Sequence, residues 1–313
     1  MKKISIVLPI YNEEKNIPIV YHELLSVLTP LKEFAYEIIL VNDGSRDASW
    51  QTILNLAKGD SCIKALTFSR NFGHQIALTA GYDHATGDVI VSMDADLQDP
   101  PSLIPSMLEA WHKGADIVYA RRADRKDNFL KRMTAILYYK CLSHISDVTI
   151  PRNVGDFRLI DKKVLTYLKQ CREKSRYLRG MVAWSGFNHA FVDFNRPNRL
   201  EGTTGYTWSK MIKLAFDGVT GFSLFPLKLA AFIGVFVILT GCLMFTYISC
   251  DALFNKVNYP LFKWLVTIVY IFMGVQFLLM WLIGEYIGRI FEQQKGRPLY
   301  IVDKKVNFQE SSP

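Results

Sequence analysis

Hydrophobic and polar positions run in two alternating rhythms over the first 120 residues. Short β-branched runs at Ile4–Pro9, Tyr36–Val41, Ile63–Phe68, the stretch from Gly87 towards Asp94, and Asp116–Tyr119 have the length and burial pattern of core strands. Between them, Asn16–Leu28, Gln75–His84 and Leu103–His112 carry apolar residues at helical spacing, and Ser45 after Gly44 is a candidate start for another helix. Strands and helices alternating at this spacing predict an α/β fold with a mainly parallel sheet, whose polar loops stack on one edge. That edge collects Pro9, Tyr11, Glu13, Asp43, Ser69, Asp94, Asp96 and Gln98.

The run ending in Met93-Asp94-Ala95-Asp96-Leu97-Gln98 is the chemical centre of this pattern. Carboxyl ends of strands in open α/β sheets are where ligands bind. Oxygen-bearing side chains at every second position there suit a small hard cation, Mg²⁺ or Mn²⁺. Such a cation would hold a diphosphate and stabilise its charge as it leaves. An ordinary acidic turn, broken by Pro100 and Pro101, is the rival explanation. No GxGxxG or Walker pattern follows the first strand, which argues against dinucleotide-binding and P-loop enzymes.

Beyond residue 127 the pattern changes. Asn128–Ile145 has helical periodicity with a basic remainder, as an interfacial helix would, and Arg121, Arg122, Arg125, Lys126, Lys131 and Arg132 precede or open it. Gly155-Asp156-Phe157 reads as a turn whose carboxylate is a candidate base or charged contact. Lys162–Lys169 and Arg176–Trp184 read as short helices, and Phe187–Phe194 as a further strand. The loop from Asn195 to Tyr206 carries Arg196 and Arg199 and could fold over an anion, and Tyr206–Phe222 is a second amphipathic stretch.

Leu229–Ser249 and Trp264–Gly284 contain no charged residue, and each is long enough to span a bilayer. This predicts a catalytic domain over 1–225, a two-span transmembrane hairpin over 226–286 and a basic tail over 287–313. Mean hydropathy of +0.11 is high for a soluble enzyme. The formal charge of +8 then suits a membrane surface and phosphate-bearing substrates, with no need for nucleic acid. Cys62, Cys141, Cys171, Cys242 and Cys250 show no metal-ligand spacing. Within the tail, Leu299–Val302 is β-prone and could pair with a sheet edge. The basic tail and an even number of spans predict that the catalytic domain and both termini are cytoplasmic.

Taken together, Pro9-Ile10-Tyr11-Asn12-Glu13-Glu14, Val41-Asn42-Asp43-Gly44-Ser45, Ser69-Arg70-Asn71-Phe72-Gly73, Asp94-Ala95-Asp96-Leu97-Gln98-Asp99-Pro100-Pro101, Gly155-Asp156-Phe157-Arg158-Leu159, and Arg196 with Arg199 and Gly202 resemble the glycosyltransferases of family 2 that act on polyprenyl phosphates. The resemblance runs from Ile4 to about Val302 and is to the two-span bacterial class. It implies a GT-A catalytic domain, a nucleotide-sugar donor (UDP-glucose first), a divalent metal and inversion at the anomeric carbon. It further implies an undecaprenyl phosphate acceptor, a homo-oligomer in the bacterial inner membrane, and a separate flippase for the product. By matching motif, Pro9, Tyr11, Glu13 and Asp43 resemble the nucleoside pocket, and Asp94 would face nucleoside and metal. Asp96 and Gln98 resemble ligands of metal and diphosphate, and Asp156 the catalytic carboxylate. Arg122, Lys131 and Arg199 resemble contacts for lipid or donor phosphates. One departure is Gly205-Tyr206, where many relatives have a Lys before the Tyr, so other hexoses and N-acetylhexosamines stay open as the sugar. A polysaccharide-forming membrane glycosyltransferase is the main alternative, and a binding-only scaffold the lesser one.

Overall fold

The computed structural model describes residues 1–123, 151, 153–174, 176–195, 246, 254 and 261–308, with only some of the side chains between 261 and 281. The sheet strands are β1 (Lys2–Ile10), β2 (Phe34–Asn42), β3 (Ile63–Phe68), β4 (Val89–Ser92), β5 (Ile117–Arg122), β6 (Val154–Asp161), β7 (His189–Phe194) and β8 (Val302–Val306). The helices are α1 (Asn16–Leu28), α2 (Ser49–Gly59), α3 (His74–His84), α4 (Ile104–His112) after a 3₁₀ turn at Pro101–Leu103, α5 (Lys162–Gln170), α6 (Leu178–Trp184) and α7 (Leu261–Gln294).

The strands form one sheet in the order β7-β5-β6-β4-β1-β2-β3-β8. β1 pairs in parallel with β2 and β4, β2 with β3, and β5 with β7. The expected mainly parallel α/β sheet is present. It has two antiparallel insertions: β6 lies between β4 and β5, and β8 closes the far edge against β3. β1, β2 and β4 are buried along almost their whole length, the pattern of strands covered on both faces.

Within β1 and β2, the acidic Glu37 is buried against Ser5 and answered by Lys3 and Lys64 at 2.7 Å each. A second close fit brings α3 onto β1 at Gly81, where a Cβ would stand 2.2 Å from a Val7 methyl. Only glycine lets this helix, and the residue at its first turn, come so near the sheet.

The segment around Asp156 is a correction. It is no turn: Gly155-Asp156-Phe157 lies inside β6, whose backbone is buried between two neighbours. Nor does Ser45 start a helix, because α2 begins at Ser49 and the Ser45 hydroxyl accepts the Asn12 N–H at 3.0 Å.

By compactness the chain divides into one unit of residues 1–144, 148–215 and 298–313 and a second of 145–147 and 216–297. In the second, α7 is a continuous 34-residue helix. Among the described residues no helix is long and apolar enough to cross a membrane. The expected two-span hairpin is therefore not shown; 229–249 and many α7 side chains lie outside the described residues. Within the stretch expected as the tail, α7 continues to Gln294 and 302–306 pairs with the sheet edge at β3.

Candidate active site

Loops after β1, β2 and β3 are locked together at the carboxyl edge. The Asn12 side chain accepts the Arg46 N–H at 2.9 Å, and the Glu13 N–H donates to the Ser49 hydroxyl at 2.9 Å. Asp43, buried beyond β2, accepts the N–H groups of Phe72 at 2.7 Å and Gly73 at 2.9 Å. Burial pushes its carboxyl up despite those two hydrogen bonds. Gly44, at φ +65°, lets the two loops touch, since a Cβ there would stand 2.6 Å from the Arg70 carbonyl carbon. The loop 69–73 so fixed delivers His74 to the first turn of α3.

His74 opens onto a cluster that spans four elements. Its Nε2 lies 3.5 Å from Asp94 Oδ1 and 3.4 Å from Asp156 Oδ2. Asp156, 5 % exposed on β6, also receives Gln75 Nε2 at 3.1 Å, Arg179 Nη2 at 3.1 Å and Nε at 3.3 Å, and Arg158 Nη2. Its main-chain oxygen accepts the Ser92 hydroxyl, which in turn accepts from Tyr82. Burial alone would raise the Asp156 carboxyl, but Arg179, His74 and Arg158 hold it well below the usual carboxylate range. Burial likewise opposes the His74 imidazolium, yet Asp94 and Asp156 overcome it and raise its pKa to about 9. At neutral pH the cluster is thus an ionised carboxylate surrounded by cations. It is an anchor rather than an available base, because both carboxylate oxygens already accept hydrogen bonds.

Asp94 follows β4 and is different. Its Oδ1 is buried without a hydrogen-bond partner, and burial raises its pKa, with Asp156 and Asp96 adding to the rise and His74 opposing it. Asp96 is buried beside it and accepts the Gln98 N–H at 3.2 Å. The Asp99 carboxylate takes the Asp94 N–H at 3.1 Å and so shapes the turn. Among the described residues no three His, Cys, Asp or Glu side chains form a complete metal cage. A buried carboxylate oxygen that accepts no hydrogen bond, next to a second carboxylate, fits the other arrangement, in which Mg²⁺ takes one or two carboxylates and fills its shell from substrate phosphates and water. The donor set therefore fits a divalent ion held jointly with a diphosphate.

Residues 5–168 match glycosyl transferase family 2, a span covering more than half of the chain. The chain belongs to this family. It is 46 % identical over 301 residues to an uncharacterized glycosyltransferase, YkcC, of Bacillus subtilis strain 168, covering 96 % of this chain and 93 % of that protein. It is 41 % identical over 306 residues to a prophage-derived bactoprenol glucosyl transferase of Shigella flexneri, covering 96 % and 98 %. A prophage bactoprenol glucosyl transferase homolog of Escherichia coli K12 is 40 % identical over 96 % of this chain and 99 % of that one.

As a family 2 glycosyltransferase, the protein brings together part of what its sequence nominates. Pro9, Tyr11, Glu13, Asp43, Asp94, Asp96 and Gln98 all lie on or beside the carboxyl ends of β1, β2 and β4, and Asp156 joins Asp94 through His74. Tyr11 is exposed, whereas the Glu13 carboxylate is engaged with Asn16 Nδ2 at 2.6 Å. Arg122 ends β5, where its N–H bonds the Asn153 carbonyl at 3.1 Å. Lys131, Arg199, Gly205 and both amphipathic stretches lie outside the described residues. His74, Gln75, Arg158 and Arg179 were missed. His74 directly follows Ser69–Gly73, so the start of a helix at that loop was the signal available for it.

Proposed function

We propose that this glycosyltransferase moves one sugar from a nucleotide-sugar donor, UDP-glucose first, to a polyprenyl phosphate of the undecaprenyl type, with release of the nucleoside diphosphate. The observation that carries the reading is the buried Asp94 Oδ1, which accepts no hydrogen bond and lies 3.5 Å from His74, beside Asp96 at the end of β4 and next to the Asp156 cluster. Relatives about 40 % identical over nearly their full length, named as bactoprenol glucosyl transferases, support the lipid acceptor.

In this reading Asp94 and Asp96, with Gln98 on the same loop, hold Mg²⁺ or Mn²⁺ against the donor diphosphate. The bound ion supplies charge stabilisation for the departing nucleoside diphosphate. Pro9, Tyr11, Glu13 and Asp43 border the nucleoside; by accepting the Phe72 and Gly73 N–H groups, Asp43 also fixes the loop that leads to His74. A phosphate monoester has its second pKa near 6 and is largely ionised at neutral pH, so the acceptor needs little deprotonation. Asp156 then acts by orienting the acceptor through His74, which it holds beside Asp94. Inversion follows from in-line attack of that phosphate oxygen on the anomeric carbon.

The two uncharged 21-residue stretches support membrane attachment. The lipid would stay in the inner leaflet of the bacterial cytoplasmic membrane while only its phosphate rises to the site. Catalytic domain and termini would be cytoplasmic, Lys131 and Arg199 would contribute phosphate contacts, chains would associate as a homo-oligomer, and a separate flippase would carry the product across.

The test is a donor panel with purified protein and undecaprenyl phosphate, reading the released nucleotide. UDP-glucose should give UDP in step with lipid glycosylation. Turnover with GDP-mannose and with no UDP-sugar would refute the donor assignment, and a growing glycan would refute single-sugar transfer.

A further inference from the structure

The strand nearest the end of the chain reaches the loop that carries His74. β8 pairs antiparallel with β3, from Val306 opposite Ala65 to Val302 opposite Phe68. The bonding continues one residue past β3, where the Ser69 N–H donates to the Ile301 carbonyl at 3.1 Å. Ser69 opens the loop whose other end, at Phe72 and Gly73, is held by Asp43. The 69–73 loop is therefore fixed at one end from beyond β2 and at the other from the C-terminal segment.

Tyr300, just before Ile301, extends that hold to the far end of α3. Its ring stacks on Phe68 with centroids 5.2 Å apart and planes at 25°, and Phe68 meets Phe72 edge to face at 5.5 Å. Its hydroxyl donates to Asp83 Oδ2 at 2.9 Å, in the last turn of α3, and the same oxygen receives Arg172 Nη1 at 2.8 Å. Beyond β8, Phe308 lies edge-on to His84, the final residue of α3, at 5.2 Å. One short segment thus grips both the approach to α3 and its last turn. Between these grips lie Gly81, where the helix rests against Val7, and the first turn, where His74 and Gln75 meet Asp156. A helix of 11 residues is a stiff rod, so a shift at its end is carried to its start.

We propose that Tyr300 is a positioning residue for His74: by joining Phe68 to Asp83 it seats α3 on the sheet, and sugar transfer requires the C-terminal segment to be docked on β3. The inference rests on the polyprenyl-phosphate reading, in which His74 orients the acceptor, and it gives β8 a part in that step. A strand that only closed the sheet edge would affect stability and leave the handling of the acceptor unchanged.

The experiment compares the purified full chain with Tyr300→Leu, which loses the stacked ring and the hydroxyl, and Tyr300→Phe, which keeps the ring. Kinetics with UDP-glucose and undecaprenyl phosphate, each varied in turn, are read beside amide hydrogen exchange of residues 69–76. In Y300L the acceptor KM should rise about 3- to 10-fold and kcat should fall, with the donor KM unchanged. Exchange over 69–76 should quicken while that of β1 keeps its wild-type rate. Y300F should lie between wild type and Y300L in both readouts, and it decides the matter alone if Y300L does not fold. An unchanged acceptor KM, a donor KM that rises equally, or unchanged exchange over 69–76 would overturn the proposal and leave Tyr300 as a clamp on the sheet edge. Absence of transfer by the wild type to any polyprenyl phosphate would instead refute the functional reading, and this inference with it.

Discussion

Replacing Asp156 with Asn would remove the negative charge that Arg158 was buried to meet. Arg158 is fully enclosed on β6, its Nη2 is on Asp156, its Nε has no partner and its remaining described bond is a 3.4 Å contact to the Leu178 carbonyl. Breaking a buried ion pair by deleting one partner costs about 3–5 kcal/mol, because the other charge is left uncompensated. At about 2–4 °C per kcal/mol for domains of moderate size, the midpoint should fall on the order of 10 °C. Thermal unfolding of purified wild type and D156N, followed by far-UV circular dichroism, measures this directly. A second variant separates stability from chemistry: D156N combined with Arg158→Met removes both charges and should recover most of the midpoint but none of the turnover. If D156N unfolds within about 2 °C of wild type, the paired Asp156 and Arg158 do not hold the core as described.

Glu37 gives a pH test with a defined sign. Burial would raise its carboxyl, but Lys3, Lys64 and Ser5 bring it from 4.5 down to about 2. Its stabilisation is complete above the unfolded value and is lost as pH falls from about 4.5 towards 2, a total of about 3 kcal/mol. Urea unfolding between pH 3 and 7 should show a steeper acid loss in wild type than in Glu37→Gln; parallel curves would sink the assignment. Asp96→Ala should leave the thermal midpoint nearly unchanged and lower metal-dependent transfer at least about 100-fold, because the diphosphate loses its shared ion. Full activity with Mg²⁺ or Mn²⁺ in that variant would refute the metal role. Gly44→Ala forces a Cβ to within 2.6 Å of the Arg70 backbone at φ +65° and should destabilise by about 2 kcal/mol. Its midpoint and kcat should fall together as the 69–73 loop shifts, and an unchanged kcat would show that the loop does not set His74.

The parts of the fold that depend on local pattern were legible in the sequence. α1 spans Asn16–Leu28 and β3 spans Ile63–Phe68, as their periodicity predicts, because an amphipathic helix and a buried strand each write their burial into adjacent residues. The site edge was legible for the same reason, since parallel strands put their following loops together. Asp156 was misread because Gly155 and Asp156 are turn-formers by local chemistry, whereas β6 is held by pairing with strands far away in the sequence, Val91 with Leu159 and Ile117 with Ile160 among them. His74, Gln75 and Arg179 escaped notice for a related reason. Their meaning arises only when α3 and α6 converge on one carboxylate, and no spacing within either segment records that convergence.

The most direct test of the account is the mass of the lipid formed when the purified full chain meets undecaprenyl phosphate, UDP-glucose and Mg²⁺ or Mn²⁺, run beside Asp94→Ala and Asp96→Ala variants. The account predicts a lipid carrying a single hexose on its phosphate, formed by the wild type and lost in both variants and on chelation of the metal. A product with several sugars, or single-hexose lipid made equally well by the variants, would contradict it.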